Sequence, residues 1–73
     1  MVKMSLAAAR VNAGLSQKDA AKKLYVSNGT LSNWEKGISF PDAQQIDAIV
    51  KLYGVPYDYI DFLPKNPVKT DER

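Results

Sequence analysis

Hydrophobic positions in this chain recur every three or four residues and hardly ever alternate, so the pattern predicts helices and almost no strand. Leu6, Ala9 and Ala13 share one helical face, which predicts a first helix from about Ser5 to Ala13 with Gly14 as its left-handed stop. Leu15 sits where a hydrophobic residue packs back across a helix entry, opposite Ala20. Ser16 is a good N-cap, and Asp19 completes a box-like S-x-x-D. A second helix should therefore run from Gln17 to about Tyr25, with Ala20, Ala21 and Leu24 inward. Ser27 caps a third helix that ends before Gly37. On a helical wheel Asn28, Gly29, Ser32, Asn33 and Lys36 fall within one arc of about 140°. Ser27, Thr30, Leu31 and Trp34 lie opposite; Leu31 and Trp34 are the expected core anchors, with Val26 in the turn. Asp42 and Gln45 form a capping box for a fourth helix. Its stripe is Ile46, Ile49, Val50 and Tyr53, and Gly54 ends it. A short fifth helix is expected from about Tyr57 to Leu63, followed by a flexible polar tail, 64–73. The expected fold is all-α: a compact bundle of five short helices, with residues 1–63 forming one domain.

Composition narrows what such a bundle does. A chain of 73 residues leaves room for one small core and little for a deep substrate cavity. There is no cysteine and no histidine, hence no disulfide, no thiolate or imidazole metal ligand, and no general base of the usual kind at neutral pH. Neither an enzyme, a cofactor nor a bound metal is expected. No apolar run approaches the roughly 18 residues of a membrane span, and nothing at the N-terminus reads as a signal peptide, so a cytoplasmic location is expected. The net charge of +2 is unevenly spread. Residues 1–36 set Lys3, Arg10, Lys18, Lys22, Lys23 and Lys36 against Asp19 and Glu35. The rest sets Lys51, Lys65, Lys69 and Arg73 against six acidic residues. The basic half holds the second and third helices, an orientation suited to a polyanion. Ordinary scatter on a solvated surface also yields such a split.

The uncharged arc of the third helix is the most informative feature. Exposed helix faces usually carry Lys, Glu and Arg rather than Asn, Gly and Ser. Short hydrogen-bonding groups on a convex helix suit the base edges of a DNA major groove. Arg10, Leu15–Gln17, Ala21 at the expected helix crossing and V-S-x-x-T-L-S-x-W-E-x-G over Val26–Gly37 stand together in one order and spacing. In these features the chain resembles the DNA-binding domain of phage repressor and Cro-type helix-turn-helix proteins, the XRE family. Pro41 and the L-Y-G-V-P of Leu52–Pro56 match as well, so about Met4 to Leu63 is covered. The resemblance implies a lambda-repressor-like fold and sequence-specific binding of double-stranded DNA by a small transcriptional regulator, a repressor or Cro-like switch protein. Asn28, Gly29, Ser32 and Asn33 would face the bases. Gln17, Ser27, Lys36, Ser39 and the outer edge of Arg10 would face phosphates, and Arg10 and Glu35 would pair between the first and third helices. Lys18, Lys22 and Lys23 would add long-range attraction.

One position departs from the family's pattern. Tyr25 stands at the corner between the second and third helices, where Gly is usual because φ is positive. A bulky residue in that conformation costs about 1–2 kcal/mol unless the turn is reshaped. Near the C-terminus, Tyr57, Tyr59, Ile60, Phe62 and Leu63 offer more apolar surface than a short helix buries. Tyr57, Tyr59 and Phe62 are therefore candidates for a homodimer contact on a palindromic operator; alternatively Ile60 and Leu63 close the core and the tyrosines lie half-exposed on it. A second functional class stays open: a protein-binding module, such as an antitoxin or antirepressor, acting through a partner protein.

Overall fold

The computed structural model describes residues 3–62. Its elements in chain order are β1 (Met4–Ser5), α1 (Leu6–Asn12), α2 (Gln17–Lys23), α3 (Asn28–Lys36), α4 (Ala43–Tyr53), a 3-10 turn over Tyr57–Tyr59, and β2 (Ile60–Asp61). Each α-helix starts on a side-chain cap. Ser5, Ser16, Ser27 and Asp42 adopt extended backbone angles and accept the N–H groups of Ala8, Asp19, Thr30 and Gln45. Such a cap contributes about 1 kcal/mol relative to alanine. At α4 the box is reciprocal, because the Gln45 side chain accepts the Asp42 N–H at 2.8 Å.

The first three helices close by the same device. The N–H of Leu15 bonds the carbonyl of Arg10, that of Val26 bonds Ala21, and that of Ile38 bonds Asn33, each a reversed turn across a left-handed residue. That residue is Gly14 after α1 and Gly37 after α3, both at φ 78°. After α2 it is Tyr25, at φ 60°. The corner thus keeps the geometry that glycine normally provides, and a tyrosine occupies it. Two helix ends consequently fall short of the sequence expectation: α2 stops at Lys23 and α1 at Asn12.

The C-terminal segment corrects the all-α, five-helix expectation. The described residues hold four α-helices. Where a fifth was expected there is one 3-10 turn, and Ile60 and Asp61 then pair in parallel with Met4 and Ser5. Aromatic and β-branched residues dominate this stretch and favour extended backbone. The pairing also satisfies backbone groups that a single helical turn between Pro56 and Pro64 would leave open. Leu63 and residues 64–73 lie outside the described residues.

The core is one cluster. Leu6 and Ala9 of α1, Ala20, Ala21 and Leu24 of the α2 segment, Leu31 and Trp34 of α3, Ile49 and Tyr53 of α4, and Val55 and Ile60 beyond it are all buried. Ala20 is fully buried and Ala21 almost so on α2, the helix that packs on α3, and side chains this small let neighbouring helices approach closely. This contact fixes the direction in which α3 leaves the bundle. It also decides which α3 side chains face outward.

Candidate nucleic-acid interface

α3 is anchored from one side by Leu31 and Trp34. Its other side presents Asn28, Gly29, Asn33 and Lys36 to solvent, with Ser32 half-buried between them. Those five residues are the ones grouped by the helical wheel. Gly29 has open space around it: a Cβ there would meet only Ser27 Oγ, at 3.9 Å. Packing therefore does not require glycine at this position.

Four polar side chains link α1, α2 and α3 beside this face. Arg10 Nε donates to Glu35 Oε2 at 2.7 Å, and Arg10 Nη1 donates to the Leu15 carbonyl at 2.8 Å. Gln17 Nε2 donates to Glu35 Oε1 at 3.0 Å. Asn28 Nδ2 donates to Gln17 Oε1, also at 3.0 Å. The Arg10 and Glu35 side chains are only 15% and 8% exposed, whereas Asn28 lies open to solvent. A buried ion pair thus grades outward, through one half-buried amide, to an exposed one. Under this cluster the Tyr53 hydroxyl is buried and finds no hydrogen-bond partner among the described residues. Burial pushes its pKa up from 10.0 to about 12; the Glu35 carboxylate adds to the rise and Arg10 opposes it.

The remaining residues singled out in the sequence divide into two groups. Ser27 is exposed at the start of α3, but its Oγ is engaged by Thr30, accepting the Thr30 N–H at 3.0 Å and donating to Oγ1 at 2.8 Å. Ser39 is half-buried in the loop after α3, its N–H reaching the Asn33 carbonyl at 3.4 Å. Lys36 is exposed in the last turn of α3, and Lys18, Lys22 and Lys23 are exposed on α2. At the C-terminal end, Tyr57 and Tyr59 are exposed, while Phe62 is half-buried against the core with the Tyr57 ring stacked on it, centroids 5.6 Å apart. Ile60 lies in the core.

The bridge that Gln17 makes between Glu35 and Asn28 is not among the sequence expectations. The signal for it is a spacing: Asn28 and Glu35 are seven residues apart, two helical turns, and so lie in one row. Thr30, placed on the inner face by the wheel, is half-exposed and held by Ser27. The described residues enclose no pocket, and no helix among them is long and apolar enough to cross a membrane.

Comparison with known proteins agrees with this architecture. A family model described as helix-turn-helix matches residues 6–60. Over 52 residues the chain is 42% identical to the HTH-type transcriptional regulator ImmR of Bacillus subtilis (strain 168), a match covering 71% of this chain and 41% of that protein. It is 35% identical over 49 residues to the HTH-type transcriptional activator BcrR of Enterococcus faecalis, covering 67% of this chain and 24% of that one. The chain thus spans less than half the length of either relative. No solved structure matches.

Proposed function

The chain belongs to the helix-turn-helix family, and from that premise we propose that it binds double-stranded DNA sequence-specifically as a transcriptional regulator, with α3 in the major groove. The observation that carries this reading is the outward face of α3: uncharged, short and hydrogen-bonding at Asn28, Gly29, Ser32 and Asn33, with a small residue where deep entry would need one. Gln17 at the start of α2, with Ser27, Lys36 and Ser39, lies at the ends of the two helices, where phosphates would flank the groove. Arg10 points Nε and Nη1 inward, so its first role in this reading is to hold α1 against α3. Both curated relatives carry transcriptional regulator or activator names, which supports regulation without deciding its sign.

Four mild readers give modest affinity to one copy. A twofold dimer would place two such helices about 34 Å apart, one DNA turn. The exposed Tyr57 and Tyr59 rings, beside Phe62, are the apolar surface we assign to that contact. The protein-partner reading draws on a different observation, the 95% exposed ring of Tyr25 at the helix corner. Selection of bound sequences from a random duplex pool separates the two. An enriched palindrome supports the dimeric DNA reader, and a pool without enrichment favours the protein partner.

A further inference from the structure

Of the chain's four glycines, three close helices: Gly14, Gly37 and Gly54 lie at φ between 70° and 78°. Gly29 does not. It sits inside α3 on ordinary helical backbone, where alanine is the better residue. Glycine is otherwise called for where packing leaves no room for a Cβ, or where an outside group must come close to the backbone. Packing does not require it here, because a Cβ at Gly29 would meet only Ser27 Oγ, at 3.9 Å. Gly29 is also exposed, on the side of α3 that faces away from the core. What needs the missing side chain is therefore a group from outside the chain.

The notch left at Gly29 is the size of one methyl group, and its lining suits one. Its nearest polar atom, Ser27 Oγ, already donates to Thr30 Oγ1 at 2.8 Å and accepts the Thr30 N–H at 3.0 Å, so it has no proton to offer. Of the five outward residues only Lys36 is charged, and it lies two helical turns away. A phosphate would find no cation beside it, whereas a methyl group needs none. In the major groove the apolar group that projects from a base edge is the C5-methyl of thymine. We propose that Gly29 is a specificity-determining residue whose missing side chain makes room for the C5-methyl of a pyrimidine: thymine, or a cytosine carrying the same methyl. This rests on the DNA reading given above.

The test starts from random-pool selection. Each thymine of one selected half-site is then replaced by deoxyuridine, one at a time, which deletes a methyl group and nothing else. With the wild type one such replacement should weaken binding about fourfold, the worth of one buried methyl group. With Gly29→Ala the same replacement should cost nothing or strengthen binding, because the alanine methyl and the thymine methyl compete for one space. A melting temperature at or above that of the wild type shows the variant to be folded. Cytosine and 5-methylcytosine are then compared at the same position. A gain of about fourfold from that methyl as well extends the notch to either base, and a gain at thymine alone assigns it to thymine. A wild type indifferent to every thymine methyl overturns the proposal without recourse to the variant, and leaves the DNA reading standing. So does a methyl effect of equal size in Gly29→Ala, the result expected if Gly29 only approaches a phosphate. No enriched sequence with the wild type overturns the DNA reading and this proposal together.

Discussion

Replacing Tyr25 by glycine should make the protein more stable, although tyrosine is the larger and more apolar residue. The backbone there sits at φ 60°, a conformation that costs a residue with a Cβ about 1–2 kcal/mol. Little offsets that cost, because the residue is 95% exposed and buries almost no apolar surface. Glycine removes the strain but frees the unfolded chain, which takes back about 0.4–1 kcal/mol. The net gain is about 1 kcal/mol, or about 4–8 °C in Tm for a domain of this size. Thermal unfolding followed by circular dichroism measures it. Tyr25→Ala is the control: it keeps the strain and deletes the ring, so its Tm should match the wild type within a degree or two. A Tyr25→Gly protein that melts below the wild type would refute the strain argument. An equal drop in Tyr25→Ala would show that the ring packs on something after all.

Three further outcomes follow from the same geometry. Gly29→Ala should fold at least as well as the wild type, since its Cβ enters open space and alanine gains up to about 1 kcal/mol in a helix; on the DNA reading its operator affinity falls, so unchanged affinity in a gel-shift titration would deny Gly29 a place in the groove. Glu35→Ala should lower the urea midpoint sharply, by about 3–5 kcal/mol of stability, because the Arg10 guanidinium is left mostly buried without its partner; a loss below about 1 kcal/mol would mean that the pair behaves like a surface one. Tyr53→Phe removes a buried hydroxyl that has no partner among the described residues, and so should be neutral or stabilising in a thermal melt. In the wild type the folded hydroxyl ionises near pH 12 and the unfolded one near 10.0, so the folded state holds its proton more tightly. The associated stability is whole below pH 10 and is lost as pH rises toward 12. Tyr53→Phe should flatten that decline, and an identical alkaline decline in both proteins would count against the shift.

The helices were legible because their punctuation is local. Ser16, Ser27 and Asp42 each sit at the start of a periodic run, and Gly14, Gly37 and Gly54 close the first, third and fourth helices. Tyr25 was legible as an anomaly only through the family resemblance, which implies glycine at that corner. The C-terminal strand was not, because its partner is Met4–Ser5 at the other end of the chain and only two residues pair on each side. Neither alternation nor length marks so short a strand. The α3 face was read from a single helix, which the 3.6-residue period settles without knowledge of the fold. The Gln17 bridge could not be read that way. It joins side chains 11 and 18 residues apart on different helices, and only the close crossing at Ala21 brings them together.

Whether α3 reads base sequence is decided by comparing affinity for the selected duplex with that for a scrambled duplex of equal length and composition across a salt series. If it does, the selected duplex binds about 10³-fold or more tightly at physiological salt. Both affinities should fall linearly on a log–log plot as salt rises, since both include phosphate contacts. Equal affinity for the two duplexes, or no binding to either at low salt, would contradict it.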